Sequence, residues 1–273
     1  MEVRFKILER LGLKDYLIKY YSYSFFGYLR FVKAKIKCNE NYIHINDIVN
    51  VDDEILITYT PIKQEGNPSS LPIKIVYEDD DCIVINKDPG VTTCPSCLHQ
   101  EDTLFNRLQY YFKDTDNTLH FISRLDKDTS GLVLIAKNQY AACLFNKVRD
   151  TFVKEYIAET HLPLPKEKDT IELPIKRMEG MKRWVFEDGH YAKTEYELMY
   201  HEDDIYRYRV RIYTGRTHQI RVHFAYLGAP IINDFIYGDG LKDSRMHLHA
   251  AYLKFYHPLK KERIELHSFT NFE

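Results

Sequence analysis

Arg124-Leu125-Asp126-Lys127-Asp128-Thr129-Ser130-Gly131 runs directly into Leu132-Val133-Leu134-Ile135-Ala136. The second half is an unbroken apolar run of strand length, which predicts a buried strand. The first half is a charged, hydroxyl-bearing loop at the start of that strand, and loops at strand ends carry function out of proportion to their length. Arg124, Lys127, Thr129 and Ser130 surround Asp126 with cations and hydroxyls that keep a carboxylate ionised and oriented. Such a carboxylate can act as a nucleophile. The same residues also suit a plain polar turn whose side chains bond backbone amides, so the loop alone does not choose between chemistry and structure.

Working outward, Ile73–Tyr77 and Cys82–Asn86 are β-rich runs separated by Glu78-Asp79-Asp80-Asp81, the pattern of paired strands. Asp102-Thr103 opens a helix whose apolar residues 104, 105, 108 and 112 share a face. Residues 139–151 have helical spacing, and 193–200 and 205–213 read as strands. Strands interspersed with a few helices, without an internal repeat, predict an α+β fold with a mostly antiparallel sheet and flanking helices. The polar, turn-rich stretch Gln64–Ser70 reads as a linker, placing a boundary near 70. Ahead of it, Arg4 to Lys37 holds nine basic residues against Glu9 and Asp15. With expected strands at Tyr42–Ile45 and 55–59, residues 1–70 form a small α+β lobe whose basic side is either a solvated face or an RNA contact.

Length and composition narrow the function. The chain has 273 residues, 44% hydrophobic and 29% charged, with a net charge of -2, enough for a large core and against histone-like binding. The longest aliphatic run, 132–136, is far below a membrane span of about 20 residues, and residues 1–6 lack signal-peptide features. A cytosolic protein is expected. Cys38, Cys82, Cys94, Cys97 and Cys143 are scattered, so reduced thiols are expected, and the Cys94–Cys97 pair has no second pair to close a zinc site. Neither a Gly-x-Gly-x-x-Gly turn, a phosphate loop nor a Gly-x-Ser-x-Gly elbow occurs, which disfavours nucleotide cofactors and serine hydrolysis.

Along Ile205–Tyr213, alternation puts Arg207, Arg209 and Arg211 on one face and Tyr206, Tyr208, Val210 and Ile212 on the other. The arginines are either a cationic ladder for RNA or a solvent face. Next, Gly215 permits a tight turn, Arg216 has a guanidinium free for a carboxylate or phosphate, and Thr217 can cap a helix. On that helix Ile220, Phe224 and Leu227 face the core while His218 and Arg221 share another face. His218, His223, His247, His249 and His257 invite a metal reading, but the first pair is spaced i, i+5 and no carboxylate cluster completes a triad. No metal is expected.

In order, these segments resemble the RluA family of pseudouridine synthases over essentially all of residues 71–273. The opening strands Ile75–Asp79 and Ile83–Lys87, the string Arg124–Leu132, Lys154-Glu155-Tyr156-Ile157-Ala158, Gly215–His223, and Leu248-His249-Ala250-Ala251 with His257-Pro258 carry the resemblance. It departs at Asp88, where proline is usual, at Ser123, where histidine is common, and at Gly228–Asp234. The resemblance implies a mixed sheet around a central basic cleft, with Asp126 as catalytic aspartate, Tyr156 stacking on the uracil, Arg216 pairing with the aspartate and Arg124 holding the place of the displaced base. It implies uridine isomerisation in ribosomal or transfer RNA without a cofactor. Arg221, His218, Arg207 and Arg209 are the candidate substrate contacts, with Lys176, Arg177, Lys182 and Arg183 as phosphate contacts. Residues 1–70 resemble an S4-like RNA-binding appendage through Leu29-Arg30 and Ile43–Asp47. No obligatory protein partner is expected, and a monomer suffices for a one-chain cleft. Two other readings are an RNA-binding chain of this fold without catalysis and a glycosidase using Asp126 and Asp128.

Overall fold

The computed structural model describes residues 1–95, 101–180, 182–240 and 244–272. Its centre is a ten-stranded sheet. In spatial order the path runs Lys168–Glu172, Lys193–Glu202, Ile205–Ile212, Val153–Thr160, Leu248–His257, Ser130–Ala136, Cys82–Lys87 and Ile75–Glu78. Glu262–His267 pairs with Leu248–His257, and His120–Phe121 with Ser130–Ala136. Every pairing is antiparallel except one: Ser130–Ala136 and Leu248–His257 run parallel, joined only at Ser130 with His249 and Gly131 with Ala250. All seven residues of Ser130–Ala136 are buried, as an uninterrupted apolar run requires.

That seam needs a glycine. Gly131 has φ +113°, and a Cβ there would lie 2.3 Å from the Ala250 carbonyl oxygen. The sheet therefore closes at the point where the Asp126 loop enters it. The flanking helices sit where the periodicity places them. Leu104–Tyr111 is capped by Thr103 and Asn106 reciprocally. Gln139–Val148 is capped by Asn138, and its last predicted turn is a separate 3₁₀ turn at Arg149–Thr151.

Residues 1–58 build a second sheet of Glu2–Lys6, Glu54–Thr58, Lys35–Cys38 and Asn41–Tyr42, covered by the helices Leu13–Tyr20 and Tyr23–Phe31. Val3, Leu13, Leu17, Phe25, Leu29, Ile55 and Ile57 fill the space between them. Its core reaches the larger unit, because Cys143, Tyr140 and Leu144 pack into it, and Lys147 Nζ donates to the Lys19 carbonyl at 2.6 Å. The expected strand at Tyr42–Ile45 stops at Tyr42. Asp47 accepts from the His44 amide, and the Ile45 carbonyl accepts from Lys14 at the start of the first helix, so local turn bonds take the backbone groups a ladder would use. Past Thr58 no regular structure occurs until Ile75, and Gln64 is tied down by paired bonds to the Leu119 backbone.

Cys38, Cys82, Cys94 and Cys143 are free thiols; Cys97, the other half of the Cys94–Cys97 pair, lies outside the described residues. Among the described residues no helix is long and apolar enough to cross a membrane.

Gly131→Ala is expected to destabilise the fold by at least about 2 kcal/mol, through backbone strain and overlap with Ala250. Thermal unfolding should show a fall of roughly 5 °C or more, using about 2–4 °C per kcal/mol for a chain of this size class.

Candidate active site

A cleft of about 440 Å³, part of it open to solvent, lies over the seam, and Asp126, Arg124, Tyr156, Arg216, His218 and Arg221 all line it. The loop holding Asp126 is fixed from several sides. Thr93 Oγ1 donates to the Leu125 carbonyl and accepts from its amide. The Lys87 ammonium, almost fully buried, gives its three hydrogens to the carbonyls of Asp88, Val91 and Lys127 at 2.8–2.9 Å. Burial pushes this amine down to about 7, against the opposing pull of Asp126, Asp128 and Asp88. Ser130 Oγ meets His249 Nδ1 at 2.8 Å, and the other ring nitrogen meets Ser268 Oγ at 3.0 Å.

Asp126 stays partly open, with 26% of its side chain exposed, and a guanidinium reaches it from below: Arg221 Nη1 donates to Oδ2 at 3.4 Å. Arg221 is 2% exposed, and its Nε and Nη2 donate at 2.7 Å to the two oxygens of Asp234. Asp234 is itself fully buried and accepts the amides of Ile236 and Tyr237. Burial raises the Asp234 carboxyl, but the Arg221 bonds and charge overcome it and hold the group below the usual range. Burial likewise works against Arg221, and its carboxylate partners push it further up. The cation is thus permanent.

Tyr156 sits where Val153–Thr160 slips register against Leu248–His257, between Glu155 and Tyr156; such a bulge re-aims a side chain beside a site. The ring is 8% exposed, and burial, then the Asp126 charge, push its hydroxyl up, so the phenol stays neutral.

The helix that carries Arg221 runs Gln219–Tyr226, and its cap is His218 rather than Thr217. His218 has φ +57°, a left-handed conformation that costs a non-glycine residue about 1–3 kcal/mol. Gln219 accepts from the Arg216 amide and the Thr214 hydroxyl and donates to the Lys193 carbonyl, tying turn to sheet. Every residue from Gln219 to Phe224 is buried, so the helix lies inside the fold instead of presenting a polar face.

Four candidate arginines are placed otherwise than expected. Arg216 does not pair with Asp126: it is exposed on the rim, and its Nε donates to the Tyr191 carbonyl at 2.9 Å. The guanidinium on the aspartate is Arg221, which is buried rather than offered to RNA. Arg207 and Arg209 lie on the face of the sheet opposite Tyr208 and Val210, whose side chains pack with Tyr156 under the cleft. Arg207 pairs with Glu159 at 2.5 Å and Arg209 with Glu197 at 2.6 Å, so these two rungs of the ladder are neutralised by glutamates on neighbouring strands. Asp128 is not among the residues lining the cleft, which removes the carboxylate pair a glycosidase needs.

Lys87, Asp234 and Tyr237 were not singled out from the sequence. A lysine ending an apolar strand is the one signal that could have marked Lys87. The histidines disperse: His223 bonds Thr194 and Leu173, His247 bonds Glu159. Asp79, Cys82 and His257 do bring three donor atoms within 4.8 Å of one another. There, however, Lys260 Nζ at 3.0 Å and the Tyr77 hydroxyl at 2.6 Å already occupy the carboxylate.

The family model described as RNA pseudouridylate synthase matches residues 81–226. The uncharacterized RNA pseudouridine synthase YjbO of Bacillus subtilis is 30% identical over 250 residues, covering 88% of each chain. The ribosomal large subunit pseudouridine synthase D of Vibrio cholerae is 34% identical over 229 residues, covering 76% of this chain and 70% of that protein. Among solved structures, human RNA pseudouridylate synthase domain containing 1 is similar with a TM-score of 0.62 at 26% identity, covering 76% of this chain and 86% of that one.

Asp234→Asn leaves Arg221 buried without its counter-ion, which is expected to cost about 3–5 kcal/mol. Because the folded carboxyl titrates below its unfolded value of about 4, this contribution is complete above that pH and fades as pH falls through the folded value. Denaturant titrations of both proteins should therefore differ fully at pH 7 and converge in acid.

Proposed function

Since the chain belongs to the RluA family of pseudouridine synthases and is an RNA uridine isomerase, we propose that it acts on a uridine of ribosomal or transfer RNA with Asp126 as its catalytic carboxylate. The observation that carries this is the carboxylate held by Arg221 at the cleft floor beside the neutral ring of Tyr156. Isomerisation breaks the bond from N1 to C1′, turns the uracil and rejoins it through C5. The C5 proton is lost and N1 gains one, so the reaction is balanced without redox change and calls for no cofactor. Asp126 acts on the ribose, by attack at C1′ or by taking a proton from the sugar, and its orientation by the Arg221 guanidinium suits either step. Tyr156 stacks on the base, and exposed Arg124 at the rim takes the place the base vacates. Flipping a base out of its stack costs a few kcal/mol, which stacking and arginine contacts offset.

Residues 1–70 are proposed as an S4-like lobe that grips the RNA away from the target. A groove there is lined by Lys14, Arg30, Lys33 and His44, and among the described residues none of the three cations is in an ion pair. Phosphate contacts of this kind position RNA without reading its sequence.

Wild type and Asp126→Asn should be incubated with unmodified transfer and ribosomal transcripts, and pseudouridine mapped by carbodiimide-blocked primer extension. New stops are expected with wild type alone, with the variant reduced by at least about 10³, and with Asp128→Asn still active. Stops of equal strength with Asp126→Asn would sink the assignment. Replacing Lys14, Arg30 and Lys33 together by Ala is expected to raise KM and to flatten the salt dependence of RNA binding by up to about 0.7–0.9 in slope per lost phosphate contact, read by filter binding over a salt series.

A further inference from the structure

Among the described residues lining the cleft, His218 is the one buried titratable group that the steps above do not use. Its left-handed backbone turns the ring inward, where 9% of the side chain is exposed, and two contacts fix the ring's orientation. Nδ1 lies 2.8 Å from the Tyr237 hydroxyl, and that hydroxyl accepts the Arg183 amide at 2.9 Å. A phenol oxygen that already accepts has its own hydrogen to give, and Nδ1 is the acceptor in front of it. The ring hydrogen then sits on Nε2. Trp184 stacks along Tyr237 and holds it in place.

Nε2 faces Asp126 Oδ2 at 3.9 Å. That is too long for a hydrogen bond, but one oxygen placed between them can lie about 2.8 Å from each. The group that fits must accept from Nε2–H and donate to a carboxylate, which a hydroxyl does. A catalytic carboxylate that works on the target ribose has one such hydroxyl next to C1′. We propose that His218, oriented by Tyr237, and Asp126 together bind the ribose 2′-hydroxyl of the target uridine, so that His218 sets the preference for RNA over DNA at that nucleotide. This rests on the reading of Asp126 as the group that acts on the ribose. The neutral imidazole it requires agrees with the surroundings. Burial, Arg221 and Arg183 disfavour the protonated ring while Asp126 and Asp234 favour it, and the balance lies below the usual histidine value.

The test uses synthetic stem-loops carrying the mapped target as uridine or as 2′-deoxyuridine, with kcat/KM for pseudouridine formation measured in wild type, His218→Ala, His218→Gln and Tyr237→Phe. Loss of the hydroxyl also alters the sugar's own reactivity, but that effect is common to all four proteins and cancels when their ribo-to-deoxy ratios are compared. Removing a hydrogen-bond partner should shrink the wild-type ratio about tenfold in His218→Ala. His218→Gln, which keeps an N–H donor, should retain most of the ratio. Tyr237→Phe preserves the ring stack and should reduce the ratio about threefold by freeing the imidazole, carrying the test if His218→Ala does not fold. An unchanged ratio in His218→Ala, or in Tyr237→Phe where that variant stands in, overturns the proposal. No product from the ribo stem-loop with wild type overturns instead the reading of the site beneath it.

Discussion

Arg221 is a guanidinium taken almost completely out of water, and most of the site follows from what it takes to keep it there. An isolated buried cation is prohibitively costly, so it must meet carboxylates in good geometry. Asp234 supplies the fork-to-fork partner and is itself held by two backbone amides. With one side of the guanidinium committed to Asp234, the remaining Nη1 points at Asp126. The Asp234-anchored guanidinium therefore acts as a fixed hydrogen-bond donor platform, and the more exposed aspartate is oriented by it without being consumed by it: 3.4 Å is a loose contact beside 2.7 Å.

The platform is useful only if the loop above it is equally fixed. Between Lys87 and Gly131 the backbone of that loop is stitched to its neighbours through a three-pronged lysine and through Thr93. The parallel seam, where Gly131 lets two strands approach, delivers Asp126 and the strand bearing His249 to the same place. The cleft opens at the entry to that seam, lined by Thr129 and Leu248 just ahead of the paired residues.

Much of this was legible because local patterns report local structure. The apolar run 132–136, the Thr103 cap and the alternation in 205–212 each became the element their period requires. What escaped depends on partners distant in sequence. Arg216 and Arg221 lie in one short motif, and which guanidinium is buried is decided by Asp234, thirteen residues on, not by spacing. The ladder of Arg207 and Arg209 looked available because the glutamates that neutralise it, Glu159 and Glu197, arrive by strand register from other segments. A left-handed His218 is likewise invisible locally, since nothing in Thr217-His218-Gln219 requires it. The surrounding contacts of Gln219, Tyr237 and Asp126 do.

The two faces of the sheet thus divide the charge. On one, arginines pair with glutamates across strands: Arg209–Glu197 is exposed, worth little and screened by salt, while Arg207 reaches a buried Glu159. On the other, a few charges are buried, each with its partner named by geometry. An isomerase with no phosphate chemistry and no redox step has little to work with except the placement of a carboxylate against a sugar. Placement on that scale cannot come from surface pairs that exchange with water. It needs charges in a site where the surroundings cannot rearrange to screen them. That need fits the exchange of the two arginines: Arg216, expected on the aspartate, lies on the rim, and Arg221, expected on RNA, touches Asp126 and is among the most buried side chains of the described residues.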